Sequence, residues 1–219
     1  MASSNRIPAT VDARSAELLE RAYALDNDAD TRRLYRDWAD TYDDTMLAGL
    51  GYLAPRLVSE LLATATSDLA GRVLDVGAGT GLAGQELHTR GFTRLDAFDY
   101  SAEMLAVAGA RDVYEHLIEG DLTQPLDMPD ETYSAAICTG TFTHGHVGPA
   151  CLDELFRVIR RGGLFAFSIH KGVWIDAGFD SELGRLQDGS AIRLVTRESG
   201  RLFETSSDED CWLNLYERR

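Results

Sequence analysis

Three glycines stand at alternate positions in the stretch VLDVGAGTGL, directly after a short apolar run. They are Gly77, Gly79 and Gly81, and Asp75 lies two residues before the first of them. The apolar run is typical of a buried parallel strand, so the glycines would form the turn from that strand into a helix. Gly77 would let the chain turn sharply, Gly79 would leave room for a ligand, and Gly81 would let the helix approach the sheet. The stretch therefore predicts a ligand-binding turn.

An acidic residue, Asp99, closes the next predicted strand 18 positions beyond Gly81. This is close to the offset of about 20 residues at which a carboxylate reaches the hydroxyls of a ribose. Residues 79–84 also satisfy the G-x-G-x-x-G pattern of dinucleotide sites, but out of frame, because counting from Gly77 puts the last glycine at Leu82. Asp75 in addition suits a cationic ligand better than a pyrophosphate. We expect a ligand that contains a ribose.

Two histidines, His144 and His146, follow the predicted fourth strand. An ordinary histidine pKa of about 6.5 suits a general base, if an acceptor must lose a proton. The alternatives are that both rings face solvent or a backbone carbonyl, or that they bind a metal. A zinc site needs three or four protein ligands, so His-x-His alone is weak evidence and no metal is predicted. His170 is a third candidate, for which a structural role is favoured.

Three aromatic residues, Tyr35, Trp38 and Tyr42, are spaced to share one face of a helix. On spacing alone, such a stripe indicates core packing more often than a binding site. Asp37 and Asp43 in the same segment are expected to be solvated helix residues.

Strands alternate with helices from residue 72 onward, after a helical N-terminal region. Helices are predicted over 12–25, 30–47, 53–66, 82–90, 101–108, 151–159 and near 181–187. Strands are predicted over 73–76, 95–99, 113–118, 133–139 and 164–169, with an antiparallel edge pair over 192–204 and 211–217. Asp30 and Thr31 are predicted to cap the second helix. The alternation predicts an α/β fold with an open, mostly parallel sheet.

Composition limits the class of partner. The 219 residues carry a formal net charge of −15 without a basic cluster, which argues against nucleic acid. No apolar run approaches the roughly 20 residues that span a membrane, and the N-terminus lacks the pattern of a secretory signal. Cys138, Cys151 and Cys211 are widely spaced, which favours free thiols in a reducing compartment. We expect a cytoplasmic monomer or homodimer.

Four segments, VLDVGAGTGL, DYSAEML, EGDLTQPL and RRGGLFAFSIH, occur in an order that resembles the class I S-adenosylmethionine-dependent methyltransferases. The segment YRDWADTYDD is similar to the methyltransferase-like group named after the Williams–Beuren syndrome chromosomal region. The resemblance covers about residues 31–170. It implies a Rossmann-like fold of seven strands with helices on both faces, S-adenosylmethionine as cofactor and S-adenosylhomocysteine as product. It also implies that residues 1–70 form a helical lid on a core of residues 71–219, as one compact domain.

The same resemblance implies which residues bind the cofactor. The glycine turn would border its methionine part, with Asp75 near the ammonium. Asp99 would hold the ribose hydroxyls, and Asp121 would lie near the adenine amino group. The implied set is Tyr35, Trp38, Tyr42, Asp75, Gly77, Ala78, Gly79, Gly81, Asp99, Tyr100, Met104, Asp121, Leu122, Thr139 and Gly140.

Methyl transfer from a sulfonium needs alignment of donor and acceptor and exclusion of water rather than a covalent enzyme intermediate. The sequence lacks both Asp/Asn-Pro-Pro-Tyr after the fourth strand and a Pro-Cys pair, so a small-molecule acceptor methylated on O, N or C is predicted. One alternative is an NAD(P)-dependent oxidoreductase, although the only lysine, Lys171, does not complete a Tyr-x-x-x-Lys pair. The other is a regulatory protein that binds the cofactor without catalysis.

Overall fold

The computed structural model describes residues 13–23 and 28–219, and its centre is one sheet of seven strands. The strands are β1 Val73–Val76, β2 Leu95–Asp99, β3 Tyr114–Glu119, β4 Tyr133–Phe142, β5 Ile159–His170, β6 Ile192–Gly200 and β7 Cys211–Arg218. Their order is β3-β2-β1-β4-β5-β7-β6. The first five strands pair in parallel, while β7 runs antiparallel to both β5 and β6. The predicted sheet and its antiparallel edge are confirmed.

Helices cover both faces of this sheet. They are α1 Ala13–Tyr23, α2 Asp28–Trp38, α3 Ala54–Ala65, α4 Leu82–Thr89, α5 Ala102–Gly109, α6 Leu152–Val158 and α7 Phe179–Asp188. Successive side chains of β1 point to opposite faces of the sheet, and a hydrophobic core lies on each face. Leu74 and Val76 pack with α6 and α7, whereas Val73 packs with α3 and α4. Because both faces of the sheet centre are covered, every residue of β1 and β2 is buried, whereas the edge strand β3 is mostly exposed. The carboxyl ends of β1, β2 and β4 are thereby held side by side.

The N-terminal region differs from the single long helix predicted over 30–47. Helix α2 begins at Asp28, so Asp30 and Thr31 do not cap it, and it ends at Trp38. A 3-10 turn over Ala39–Thr41 and a π-helical turn over Asp44–Gly49 follow. The Thr45 hydroxyl donates to the Thr41 carbonyl at 2.9 Å and accepts from the Trp38 indole at 3.2 Å. Side-chain bonds of this kind compete with the regular helical ladder, which accounts for the change of geometry.

Two strands are longer than the sequence indicates. Strand β4 continues to Phe142, beyond the predicted end at residue 139. Strand β5 begins at Ile159 instead of Leu164, because the glycine pair expected to precede it forms an irregularity within the strand, with Gly162 at φ +73°. Residues 12, 24 and 25 of the first predicted helix lie outside the described residues. None of the helices in the described part of the chain is long and apolar enough to cross a membrane.

Candidate active site

The glycine turn joins β1 to α4 and has positive φ at all three alternate glycines, +63°, +55° and +85°. A Cβ on Gly77 would lie 2.1 Å from the Thr141 hydroxyl, and one on Gly81 would lie 3.0 Å from the Tyr114 ring. By contrast, a Cβ on Gly79 would meet no atom within 4 Å. Gly77 and Gly81 are therefore required by close packing, while Gly79 faces open space. Since β1 ends at Val76, the turn is counted from Gly77, as predicted.

The carboxylate of Asp99 ties the end of β2 to this turn. Its Oδ2 accepts a hydrogen bond from the Gly79 N–H at 2.8 Å, and its Oδ1 accepts one from the Ser101 N–H at 2.9 Å. Burial raises the pKa of this carboxyl, and the backbone hydrogen bonds act in the opposite direction. Asp99 is only 7% exposed, yet it lines the cavity described below. The group is an acceptor held in place for hydroxyl donors.

Asp75 lies behind the turn rather than in the cavity wall. Its Oδ2 accepts from the Tyr114 hydroxyl at 2.6 Å and from the Gly84 N–H at 3.1 Å, so it links β1 to α4. Burial raises the pKa of the Asp75 carboxyl to about 7, and both hydrogen bonds lower it. Among the described residues its buried Oδ1 has no hydrogen-bond partner. The position makes Asp75 a support for the turn.

A cavity of about 170 Å³ opens where the turn meets the carboxyl ends of the strands. Twelve predicted site residues line it: Tyr35, Tyr42, Gly77, Gly79, Asp99, Tyr100, Met104, Asp121, Leu122, Thr139, Gly140 and His146. Five do not: Trp38, Asp75, Ala78, Gly81 and His144.

The wall also contains residues outside the predicted set, namely Phe98, Gly120, Thr123, Thr141, Gly145 and Val147. Two signals could have found most of them. Phe98 and Thr123 directly adjoin predicted site segments, and the extra length of β4 carries Thr141 into the wall. Gly145 and Val147 flank His146 in the loop that follows β4.

The aromatic stripe, which begins on α2 and continues past its end to Tyr42, borders the cavity from the N-terminal region. Tyr35 and Tyr42 line the cavity, while Trp38 is buried at 2% exposure with its ring stacked on that of Tyr35. The Tyr35 hydroxyl lies 2.7 Å from His146 Nε2, which joins α2 to the loop after β4. Trp38 therefore belongs to the core, while Tyr35 and Tyr42 belong to the cavity wall.

The two histidines have different surroundings. The His146 Nδ1 lies 2.6 Å from the His144 carbonyl oxygen, and burial lowers the pKa of this imidazole. The His144 ring instead packs 4.7 Å from the ring of His170, between centroids. Of the pair, only His146 lines the cavity, whereas His144, the other predicted candidate for a base, does not.

Asp43 is not the solvated residue that the sequence suggested. Its Oδ1 accepts from the Thr80 hydroxyl at 2.5 Å, and its Oδ2 pairs with Arg111. The Arg111 Nε also donates to the Thr80 carbonyl at 2.5 Å. We call these three residues, Asp43, Thr80 and Arg111, the clasp. Helical spacing alone could not show it, because its members are far apart in the chain. Asp37 is 63% exposed at its side chain, as expected.

One group of potential metal ligands, Asp96, Glu115 and His116, occurs among the described residues. It lies toward the amino ends of β2 and β3, away from the cavity. Arginine side chains already pair with its carboxylates, Arg72 with both and Arg94 with Glu115. This arrangement is that of a structural ion-pair network.

The groups around the cavity fit S-adenosylmethionine. The open space at Gly79 leaves room against the backbone, and the buried Asp99 carboxylate can accept from ribose hydroxyls. Tyr100, Met104 and Leu122 offer aromatic and apolar surface for a base, with the Asp121 carboxylate beside them.

Comparison with known proteins agrees with this geometry. Residues 74–167 match the family described as "Methyltransferase domain". The chain is 36% identical over 146 residues to human "Methyltransferase-like protein 27". The alignment covers 65% of this chain and 59% of that relative. It is 34% identical over 124 residues to a Serratia marcescens "Malonyl-[acyl-carrier protein] O-methyltransferase", covering 57% and 46%. The chain thus spans about half the length of the curated relatives it matches.

Two solved structures share the fold. A TehB-like SAM-dependent methyltransferase from Corynebacterium glutamicum superposes with a TM-score of 0.64 at 15% identity, covering 84% of this chain and 98% of that one. A putative methyltransferase from Haloferax volcanii, solved in complex with the Trm112 methyltransferase activator, gives 0.61 at 18% identity, covering 84% and 97%.

The fold is the Rossmann-like fold of class I methyltransferases. Residues 74–167 match the methyltransferase domain family, and S-adenosylmethionine is the cofactor named for solved structures that share this fold. The resemblance seen in the sequence, including that to the Williams–Beuren-region group, is confirmed.

Proposed function

We propose that this protein transfers a methyl group from S-adenosylmethionine to O, N or C of a small-molecule acceptor. The observation that carries the proposal is the closure of the cavity by Tyr35 and Tyr42, which lie across from the glycine turn. A site roofed by aromatic side chains excludes water and leaves room for a compact acceptor.

The N-terminal helices would act as the lid. In this proposal residues 1–70 cover the core formed by residues 71–219, and the clasp fixes Asp43 of that region to the glycine turn. Within the described residues, Tyr35 and Tyr42 reach the cavity from the lid.

The cofactor, when bound, supplies an activated methyl group on its sulfonium sulfur. The chain would position it through Asp99 and the backbone of the turn, and would align the acceptor beneath Tyr35. His146 lies where it could take a proton from the acceptor, should one be released. No metal or covalent enzyme intermediate is needed for this transfer.

We also propose a monomer or homodimer in the cytoplasm, without a nucleic-acid or membrane partner. All three cysteines are buried thiols, which agrees with a reducing compartment.

The test uses cell extract divided into a small-molecule fraction, a protein fraction and a nucleic-acid fraction. Each fraction is incubated with the protein and S-adenosylmethionine, and S-adenosylhomocysteine is measured by mass spectrometry. We expect product only with the small-molecule fraction, accompanied by a compound that gains one methylene in mass. Product formed only with protein or nucleic acid would contradict the acceptor class. Cofactor binding without product from any fraction would favour the regulatory alternative.

A further inference from the structure

A second cavity, of about 30 Å³, adjoins the first. Four residues line both cavities, Tyr35, Tyr42, Gly140 and His146, so these residues form the boundary between them. We infer that the second cavity is the acceptor site, and that it takes an uncharged compound with a phenol-like hydroxyl whose proton passes to His146. The inference rests on the methyltransferase function proposed above, because it places the acceptor next to the cofactor cavity.

The charge of the lining determines the class of acceptor. Among the described residues, no Lys, Arg, Asp or Glu lines the second cavity. Most of its wall is aromatic or aliphatic, including Ala22 on α1, Phe142 on β4 and Phe203 before β7. A carboxylate or an ammonium would lose its hydration there without gaining an opposite charge, which costs several kcal/mol or more. An uncharged acceptor with an apolar body avoids this cost.

One residue in the wall of this cavity has a buried polar atom without a partner among the described residues. The Thr143 Oγ1 is buried and makes no hydrogen bond, although Thr143 lines the cavity. Buried hydroxyls are nearly always bonded, and an unbonded one is costly. A hydroxyl or carbonyl of the acceptor would satisfy it. This observation points to a ligand independently of the shared boundary.

The hydrogen bonds of His146 fix which ring nitrogen is basic. Its Nδ1 faces the His144 carbonyl oxygen, which can only accept, so Nδ1 carries the proton of the neutral ring. Nε2 therefore has the lone pair and accepts from the Tyr35 hydroxyl at 2.7 Å. Both Tyr35 and His146 lie on the boundary between the cavities. A basic nitrogen is thus directed to the place where donor and acceptor would meet.

These residues account for every bond, electron pair and proton in the proposed methyl transfer. The acceptor oxygen forms a bond to the methyl carbon as the carbon–sulfur bond breaks, and the electron pair of that bond stays on sulfur. The acceptor proton passes to His146 Nε2, directly or by way of the Tyr35 hydroxyl, which gives its own proton to Nε2 and takes the acceptor's. The positive charge moves from the sulfonium to the imidazolium, which loses its proton to water after product release.

A phenol is favoured over an alcohol because His146 is a weak base. Burial lowers the pKa of its imidazole, so the ring is neutral and available at neutral pH but does not attract a proton strongly. A phenolic hydroxyl, with a pKa near about 10, gives up its proton far more readily than an aliphatic hydroxyl. The small volume of the cavity limits what enters to a ring edge or a similarly compact group.

Binding is tested first, by calorimetric titration of phenol, benzoate and benzylamine into the protein saturated with S-adenosylhomocysteine. We expect phenol to bind most tightly. Ala22→Phe, which fills the second cavity from α1, should weaken phenol binding at least tenfold and leave S-adenosylhomocysteine affinity unchanged. Circular dichroism and thermal unfolding check the fold, and Ala22→Val provides a milder variant with the same expected direction. Tighter binding of benzoate or benzylamine than of phenol would overturn the inference.

Kinetics then test His146. With phenol as acceptor, His146→Gln should lower kcat at least about a hundredfold, as expected for loss of a general base, with KM changed much less. The kcat of the wild type should rise with pH through the lowered pKa of His146 and then level off, and this step should be absent in the variant. His88→Gln, at the exposed end of α4, is the matched control and should keep the wild-type profile.

Identical pH profiles in the wild type and His146→Gln would overturn the role of His146, since a purely structural residue would not produce the step. The binding data separate the two levels of the argument. Failure of the wild type to bind S-adenosylhomocysteine would defeat the proposed function itself. Binding of S-adenosylhomocysteine with a preference for a charged acceptor would defeat only the present inference.

Discussion

The two cavities that meet at Tyr35 and His146 are built from different parts of the chain. The larger cavity is formed at the carboxyl ends of neighbouring parallel strands, where backbone groups and carboxylates such as Asp99 face the space. The smaller cavity is formed by side chains of α1, α2, β4, β5 and the segment before β7, most of them apolar. One cavity is thus a property of the sheet topology, and the other of individual side chains. Substitutions can therefore change the smaller cavity while the larger one is preserved.

The largest expected effect tests the larger cavity alone. Gly79→Trp places a bulky side chain in the open space that the turn leaves, so S-adenosylmethionine affinity should fall more than about a hundredfold in calorimetry. Gly162→Trp is the matched control, because Gly162 also has positive φ and open space but lies in β5 far from the cavity. Equal affinities in the two variants would show that the turn does not border the cofactor.

A second test concerns the support beneath the turn. The pKa of Asp75 is raised from 3.8 to about 7, so the folded protein binds a proton there that the unfolded chain releases. The free energy of unfolding should therefore fall as pH rises from about 4 to 7, by on the order of 4 kcal/mol, and level off above.

Asp75→Asn should remove this contribution, which denaturant titrations over that pH range would detect. Asp96→Asn is a control for loss of a buried carboxylate elsewhere, since Asp96 is 1% exposed in the ion-pair network. A slope that persists unchanged in Asp75→Asn would show that the Asp75 carboxyl does not titrate in this range.

A third test concerns the ribose contact. Asp99→Ala should weaken S-adenosylmethionine binding by about 1–3 kcal/mol, which corresponds to roughly fivefold to 150-fold, because a buried charge-assisted acceptor is lost. The exposed Asp176→Ala provides a control of the same chemistry. If titration gave both variants the wild-type affinity, the cofactor would not contact the end of β2.

The smallest expected effect concerns the clasp, the contact between the N-terminal region and the glycine turn. Asp43→Ala breaks the clasp, which connects the lid to the turn, and should weaken cofactor affinity by at most about fivefold, since a partly exposed ion pair contributes up to about 1 kcal/mol. Asp37→Ala on the neighbouring exposed surface should have no effect in the same titration. A larger loss with Asp37→Ala than with Asp43→Ala would argue against the clasp.

The sequence predicted much of the lining of the larger cavity because many of these groups lie at or just after a strand end. The apolar run before Gly77 located β1, and the parallel topology then brought Asp99 beside Gly79. The frame of the glycines was also decided by this strand, since β1 ends at Val76.

The smaller cavity and the clasp could not be predicted in the same way. Helical spacing showed that Tyr35 and Tyr42 share a face, but not that His146, more than a hundred residues away, lies against it. The contact of Asp43 with the turn depends on the break in α2, which arises from the local hydrogen bonds of Thr45. The sequence slightly favoured His144 over His146, whereas the tertiary packing places His146 at the larger cavity and His144 against His170.

The central claim, that the larger cavity holds S-adenosylmethionine, is tested most directly by calorimetric titration of the whole chain. S-adenosylmethionine, S-adenosylhomocysteine and NADH are titrated separately under the same conditions. The account predicts saturable one-to-one binding of the first two and none of NADH. Preferential binding of NADH would contradict it, and would mean that the glycine pattern over residues 79–84 serves a dinucleotide after all.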